Sequence, residues 1–386
     1  ENLIMMTLNQ CLSDMITHSA SDLFVTVGMP ISAKINGKLQ PLTTIDLSEH
    51  DALDLVHQSM NEAQRKAFDT EKECNFAIHP KQIGRFRVNI FRQRNDMAMV
   101  IRSIKTELPD YKKLGLPEKL TELVMVKRGL IIFVGGTGSG KSTSLAALID
   151  FRNKTHAGHI ITIEDPIEFQ HSHQKSIVTQ RDVGIDTLSF EAALKNALRQ
   201  RPDVVLIGEI RDKETMEHAI NFAETGHLCL ATLHANNCPQ TIERILSFFP
   251  EEKHRQILMN LALNLKGILS QRLVKSRMGA RCIVSEIMLN QGLVRELIEE
   301  GKVKEIRQVM ERNSDVGMQT FDQALLTRYI RGEVTQEVAL AESDNPQNLK
   351  LRMKQAIISP MSMGGVAPPV SSGDEAPSLA RHHLEI

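Results

Sequence analysis

One run, Gly135-Gly136-Thr137-Gly138-Ser139-Gly140-Lys141-Ser142, restricts what this chain can fold into more than any other feature. It is a complete G-x-x-x-x-G-K-[ST] pattern, with the apolar stretch Leu130 to Val134 before it and the helical stretch Thr143 to Asn153 after it. A strand that feeds a glycine loop and then a helix turns successive backbone N–H groups around an anion, and the helix adds its positive dipole end. Lys141 then supplies charge to the terminal phosphate oxygens, and the Ser142 hydroxyl is a ligand for Mg²⁺. The predicted site is therefore a pocket for a nucleoside triphosphate with Mg²⁺, formed by Gly135, Gly136, Thr137, Gly138, Ser139, Gly140, Lys141, Ser142 and Thr143.

From about residue 118 to 345 the chain alternates apolar strand, polar loop and helix, which is the pattern of a parallel sheet covered by helices. The strands read as Leu130 to Val134, His159 to Ile163, Val204 to Ile207 and Leu228 to Thr232. In open parallel sheets ligands bind at the carboxyl ends of the strands, so the residues that follow these runs should converge. The second strand leads into Glu164-Asp165-Pro166-Ile167-Glu168, the third into Gly208-Glu209, and the fourth into Leu233-His234. Two carboxylates facing a triphosphate have separate tasks, one on the metal and one on the attacking water. Glu209 is assigned to the metal side with Ser142, and Glu164 to the water. Asp165 and Glu168 read equally well as loop acids, since Asp-Pro is itself a turn signal.

His227 and His234 are seven positions apart, so a strand would send them to opposite faces and they cannot share a metal. His234, at a strand end, is placed to sense the γ-phosphate, whereas His227 reads as a loop or capping residue. Cys229, inside an apolar strand, reads as core.

Composition removes other classes. The 386 residues exceed one typical core, so two folded domains are expected. The 46 basic and 47 acidic side chains nearly cancel, and aromatics are only 4%, so neither the broad positive field nor the stacking platforms of a nucleic-acid binder are present. The five cysteines contain no C-x-x-C pair, which suggests a reducing cytoplasm rather than a disulfide framework. No apolar run is long enough to cross a bilayer and no signal peptide is evident, so membrane contact is expected only through partners. The start at Glu1 rather than Met reads as a trimmed N-terminus.

Residues 1–105 read as a small α/β domain, opening with the amphipathic stretch Leu3 to His18. Strands follow at Asp22 to Val27, at Ala33 to Leu39 around an Asn36-Gly37 turn, and at Ile83 to Phe91 paired with Met97 to Ile104. Leu108-Pro109 and Leu116-Pro117 bracket an interdomain linker over 106–117, the phosphate-loop domain with its C-terminal helices covers 118–358, and 359–386 is a polar, Pro- and Gly-rich tail expected to be disordered. Gly84 to Arg94 with Arg102 concentrates arginines on a predicted hairpin; a solvated face is the commoner outcome, but a phosphate site often needs an arginine delivered from outside.

Four ordered boxes carry a family likeness: Gly135 to Thr143, Ile161 to Glu168, Pro202 to Asp212 and Thr225 to His234. With Gly317 to Asp322, they resemble the secretion ATPases of the type II/type IV pilus superfamily, and Lys127 to Gly135, Ala231 to Asn237 and Phe248-Phe249-Pro250 are closest to its PilT/PilU retraction branch, on the PilU side. The resemblance implies an α/β protein, a PAS-like N-terminal domain followed by a RecA-like ATPase domain, assembled as a hexameric ring in the cytoplasm at the inner-membrane base of a pilus. It implies catalytic roles for Glu164, Glu209, His227 and His234, and nucleotide contacts for arginines of the first domain, whose spacing Arg87 and Arg102 match best. It also implies a PilT-like ATPase and an inner-membrane platform protein as partners, with no direct nucleic acid. Assembly ATPases of the superfamily bear a four-cysteine motif late in the ATPase domain, where this chain has only Cys282. The run Leu293 to Glu300 is more acidic than the matching helix of PilT-type motors, which fits an accessory motor. Two rival readings are a nucleotide-binding scaffold that braces a partner motor and a RecA-like nucleic-acid translocase.

Overall fold

The computed structural model describes residues 6–358. The expected tail, 359–386, lies outside the described residues. Two sheets organise the chain, and the class is α/β as expected.

The first sheet has six antiparallel strands in the order β3-β2-β1-β6-β5-β4. These are β1 (Asp22–Val25), β2 (Ser32–Ile35), β3 (Lys38–Pro41), β4 (Glu73–Ile78), β5 (Arg85–Gln93) and β6 (Asp96–Ile104). Helices α1 (Leu8–Thr17), α2 (Glu49–Ser59) and α3 (Glu62–Glu71) complete the unit, with a core that includes Leu12, Met15, Phe68, Phe86 and Ile90. Each helix begins at a capping box, with Thr7, Ser48 and Asn61 accepting from the N3 backbone. The β5–β6 pairing sets Arg87 directly opposite Arg102, so the two side chains stand on one face.

After α4 (Lys119–Val124), the second sheet holds seven strands in the order β13-β12-β7-β11-β10-β8-β9. They are β7 (Gly129–Val134), β8 (His159–Glu164), β9 (Ile177–Asp182), β10 (Val204–Ile207), β11 (Leu228–Leu233), β12 (Leu265–Lys275) and β13 (Arg281–Leu289). All pair in parallel except β13, which returns antiparallel along β12. β7, β10 and β11 are buried at every position, which is why they read as uninterrupted apolar runs. Between strands run α5 (Lys141–Thr155), α6 (Phe190–Ala197), α7 (Lys213–Glu224), α8 (Cys238–Leu246) and α9 (Glu251–Asn264). α10 (Leu293–Glu299) and α11 (Ile306–Arg312) extend the same core.

A third apolar cluster joins the outer end of β12 and β13, at Val274 and Val284, to α12 (Phe321–Ile330), α13 (Gln336–Ala341) and α14 (Pro346–Ile358). The segment read as a linker is docked through its second half. Leu116 is buried in the core of the second sheet, Tyr111 and Leu114 pack against it, and the Tyr111 ring meets Phe151 edge-on at 5.2 Å.

Candidate nucleotide site

The four expected strand endings lie together because β7, β11, β10 and β8 are consecutive neighbours, all parallel. Val134 is level with Leu233, and Ile207 is level with both Ala231 and Ile163, so the phosphate loop, the acidic box, Glu209 and His234 leave the sheet at one edge. Side chains and backbone stitch these ends to each other. The Gly208 N–H donates to Ile163 O at 2.7 Å, the Ile210 N–H donates to Thr232 O at 2.9 Å, and the Thr232 hydroxyl donates to Gly208 O. Gly208 lets β10 approach closely, since a Cβ there would lie a tight 3.0 Å from both Glu164 Cα and Ile163 O.

In the loop itself, Gly138 and Gly140 have φ of +76° and +86°, left-handed conformations that open the backbone N–H groups of the turn into a concave cradle. Gly136, Thr137 and Gly138 are exposed while Gly135 and Ser139 are buried, so the loop has an open rim on a packed floor. Lys141 Nζ donates to the carbonyls of Gly135 and Gly136 at 2.8 and 2.9 Å, folding the ammonium over the loop. Burial lowers the Lys141 pKa, and the nearby charges of Glu209 and Glu168 act against that shift. This cradle, with a buried Ser139 hydroxyl that lacks a partner among the described residues, fits a polyphosphate.

Glu209 accepts from Arg211 Nε at 2.9 Å, lies 3.0 Å from His234 Nε2, and is half-buried. Glu164 accepts from the Thr162 hydroxyl at 2.7 Å and from Gln180 Nε2 at 3.3 Å. Burial is the main cause that pushes its carboxyl up to about 7, outweighing those two donors, while Glu168 and Asp182 repel its charge. Glu168 is thus within electrostatic reach of both Lys141 and Glu164, which makes it a member of the cluster. A hard cation that keeps most of its waters needs few protein oxygens beside phosphate, and the Ser142 hydroxyl with the Glu209 carboxylate is a donor set that fits Mg²⁺.

His227 lies elsewhere. It precedes β11, whose first residue is level with Gly129 at the far end of β7, so a six-residue strand separates it from His234. Its Nδ1 is 3.1 Å from the Thr225 hydroxyl and 3.3 Å from Phe222 O at the end of α7, and its ring meets Phe222 edge-on. Within one chain this is a helix-end residue, not a neighbour of the phosphate loop.

The two arginines separate as well. Arg87 reaches across to the second sheet, 3.7 Å from Asp165 and 3.6 Å from Asp182. Arg102 stays at home, with its Nε donating to Asp22 at 2.9 Å and a side chain 61% exposed. Next to Arg87, Lys105 donates its N–H to Glu168 O at 3.2 Å and accepts from Gln170 N at 2.9 Å. The first unit therefore touches the second at the acidic box and at the residues beside it, Gln170 and Asp182.

The sequence reading missed Asp182, Gln180, Thr232 and Gln271. Each is a polar residue in a strand that the apolar-run signal either passed over or absorbed as filler.

Fold and site together define a P-loop nucleotide-binding protein built on an open parallel sheet. Residues 1–313 match the model of the Type II/IV secretion system protein family. The chain belongs to that family. It is 54% identical over 350 residues to the Type IV pilus ATPase PilU of Pseudomonas aeruginosa, covering 90% of this chain and 92% of the relative. With the Type IV pilus retraction ATPase PilT of the same organism the identity is 37% over 343 residues, covering 89% of this chain and all of PilT. A crystal structure of the pilus retraction motor PilT with bound ADP superposes with a TM-score of 0.83 at 41% identity, covering 90% of this chain and 99% of that one.

Proposed function

We propose that this chain is an Mg²⁺-dependent ATPase motor of type IV pilus retraction, acting as a homohexamer in the cytoplasm at the pilus base beside a PilT-type ATPase and an inner-membrane platform protein. The observation that carries the reading is the convergence of Lys141, Glu164, Glu209 and His234 at one sheet edge, in a chain 54% identical to a pilus ATPase. Among the described residues no helix is long and apolar enough to cross a membrane, so attachment to the pilus base falls to partners.

In this reading Gly135 to Thr143 hold the phosphates of ATP, and Lys141 transfers its ammonium from the Gly135 and Gly136 carbonyls to phosphate oxygens. Ser142 and Glu209 hold Mg²⁺, which when bound neutralises phosphate charge. Glu164 orients the attacking water and takes its proton, a task suited to a carboxyl poised near 7. His234, 3.0 Å from Glu209, reports the state of the metal side to β11. Arg87 and Arg102 supply further positive charge when the two units close on each other, a contribution that can reach about 10³ to 10⁵ in rate. His227 acts, if at all, through a neighbouring subunit, because its own chain holds it at the far end of the sheet.

Purified protein should hydrolyse ATP only with Mg²⁺, and Lys141→Ala should reduce turnover by at least about 100-fold. Binding without hydrolysis in every partner combination would indicate a scaffold, and stimulation by DNA would indicate a translocase. Retraction imaged in cells carrying this protein alone, the PilT-type ATPase alone, and both separates an independent from an accessory motor.

A further inference from the structure

The parallel pairing of β12 with β7 places Ser270 level with Val134, so Gln271 emerges beside Gly135 at the floor of the phosphate loop. Gln271 is 1% exposed, and its side chain makes two hydrogen bonds to residues more than a hundred positions away. Nε2 donates to the Ser139 carbonyl at 2.7 Å, and Oε1 accepts from the Ser144 hydroxyl at 2.8 Å. The amide orientation is fixed by its partners, because a backbone carbonyl can only accept. Two glycines of the loop are also explained by this residue. A Cβ on Gly135 would sit 2.5 Å from Gln271 O, and one on Gly140 would sit 2.9 Å from Gln271 Nε2.

From this arrangement, and resting on the nucleotide-site reading above, we infer that Gln271 is a positioning residue that sets the phosphate loop in its anion-binding shape. The C=O and N–H of a trans peptide point in opposite directions. Tying the Ser139 carbonyl down to Gln271 therefore turns the Gly140 N–H up, into the hollow where phosphate oxygens belong. The second bond ties the same amide to Ser144 in the first turn of α5, so loop and helix N-terminus are held in one register by one side chain. Without the brace the flexible glycines sample shapes in which N–H groups face away, and the competent fraction falls, with apparent affinity falling in proportion.

Gln271→Glu tests this with ADP as the probe, so no turnover is needed. Ionised Glu cannot donate to the Ser139 carbonyl and places negative charge against it, whereas protonated Glu regains one donor. Affinity of the variant for fluorescent ADP, relative to wild type, should be down about 10- to 100-fold at pH 8 and largely restored at pH 5.5. The ligand-free melting temperature, read at both pH values, separates this from unfolding. A deficit below about 2-fold at pH 8, or one of equal size at both pH values, overturns the assignment. Should that variant not fold, Ser144→Ala removes the other bond: a loss of about 3- to 10-fold in ADP affinity supports the brace, and unchanged affinity overturns it. A wild-type chain that fails to bind ADP overturns the nucleotide-site reading itself, and the brace with it.

Discussion

Burial pushes two carboxyls, Glu164 and Glu286, up to about 7, and they are separated by what each could do with a proton. Glu164 stands at the sheet edge, where a general base must be ionised, so hydrolysis should climb as pH rises through about 7. Glu164→Gln should keep ADP affinity within a few-fold and cut turnover by about 10² to 10⁴, and normal turnover would remove its role. Glu286 on β13 is 1% exposed and accepts from the Cys238 N–H at 2.7 Å, at the start of α8, away from the loop. A carboxyl whose folded pKa lies above its unfolded value of 4.5 holds its proton more tightly in the folded chain. Its contribution is therefore complete below pH 4.5 and is lost as pH rises through about 7. Glu286→Gln still accepts from Cys238 without the charge, so it should raise stability at pH 8 by about 1–3 kcal/mol and leave it nearly unchanged at pH 4. Urea denaturation at both pH values checks this; equal shifts at the two would mean that Glu286 is not held protonated. Lys141, Glu164, Glu209 and His234 were legible because each follows an apolar strand. Glu286 and Gln271 were not, because each lies inside a strand and its partners are far away in the sequence.

Among the elements, β12 joins two bodies of packing through adjacent residues. Side chains alternate along a strand, so where Gln271 faces the phosphate loop, Arg272 faces the C-terminal helices. Arg272 lies 3.9 Å above the Phe321 ring, donates to Glu342 O at 2.6 Å and pairs with Asp344 at 2.7 Å. These charge-assisted contacts fasten α12 to α14 onto the sheet. Arg272→Ala should loosen those helices by about 2–4 kcal/mol, read as faster hydrogen exchange over 321–356 with β7 and β11 unchanged. Exchange that stays slow there would show the apolar cluster holding them unaided. The parallel strands were readable as elements because they are buried on both faces. α2 and α3 went unread although Ser48 with Asp51 and Asn61 with Gln64 spell their capping boxes, and β4 was hidden because its alternation, Glu73-Cys74-Asn75-Phe76, covers only four residues before Ala77 and Ile78 break it. The β12–β13 hairpin was hidden because Ser270-Gln271-Arg272 interrupts the apolar run of β12, and the place of β12 beside β7, far back in the chain, leaves no mark in local periodicity.

At the scale of the whole molecule, the arginine-rich hairpin and the acidic box were both visible in the sequence, but their meeting was not. Arg87 bridges Asp165 and Asp182, and Lys105 extends β6 into backbone hydrogen bonds with Glu168 and Gln170. Asp182 is fully buried, and burial raises its pKa against the lowering effect of Arg87. An ion pair of this kind is costly to break from one side, because the carboxylate left behind has no compensating charge. Arg87→Ala should therefore open the junction before it unfolds either sheet, through the region where nucleotide chemistry would act on the relative angle of the units. The Lys105 and Gln170 amides, which donate across the junction, report this directly. Their exchange should quicken by about 10-fold or more at pH 8, and by less as the pH is lowered, because burial raises the Asp182 pKa and losing Arg87 removes the main effect that opposes it. Arg102→Ala, whose own link is the pair with buried Asp22 inside the first unit, should leave both amides slow. If the two variants behave alike, the junction is held by its backbone ladder, and nucleotide must move the units by some contact other than Arg87.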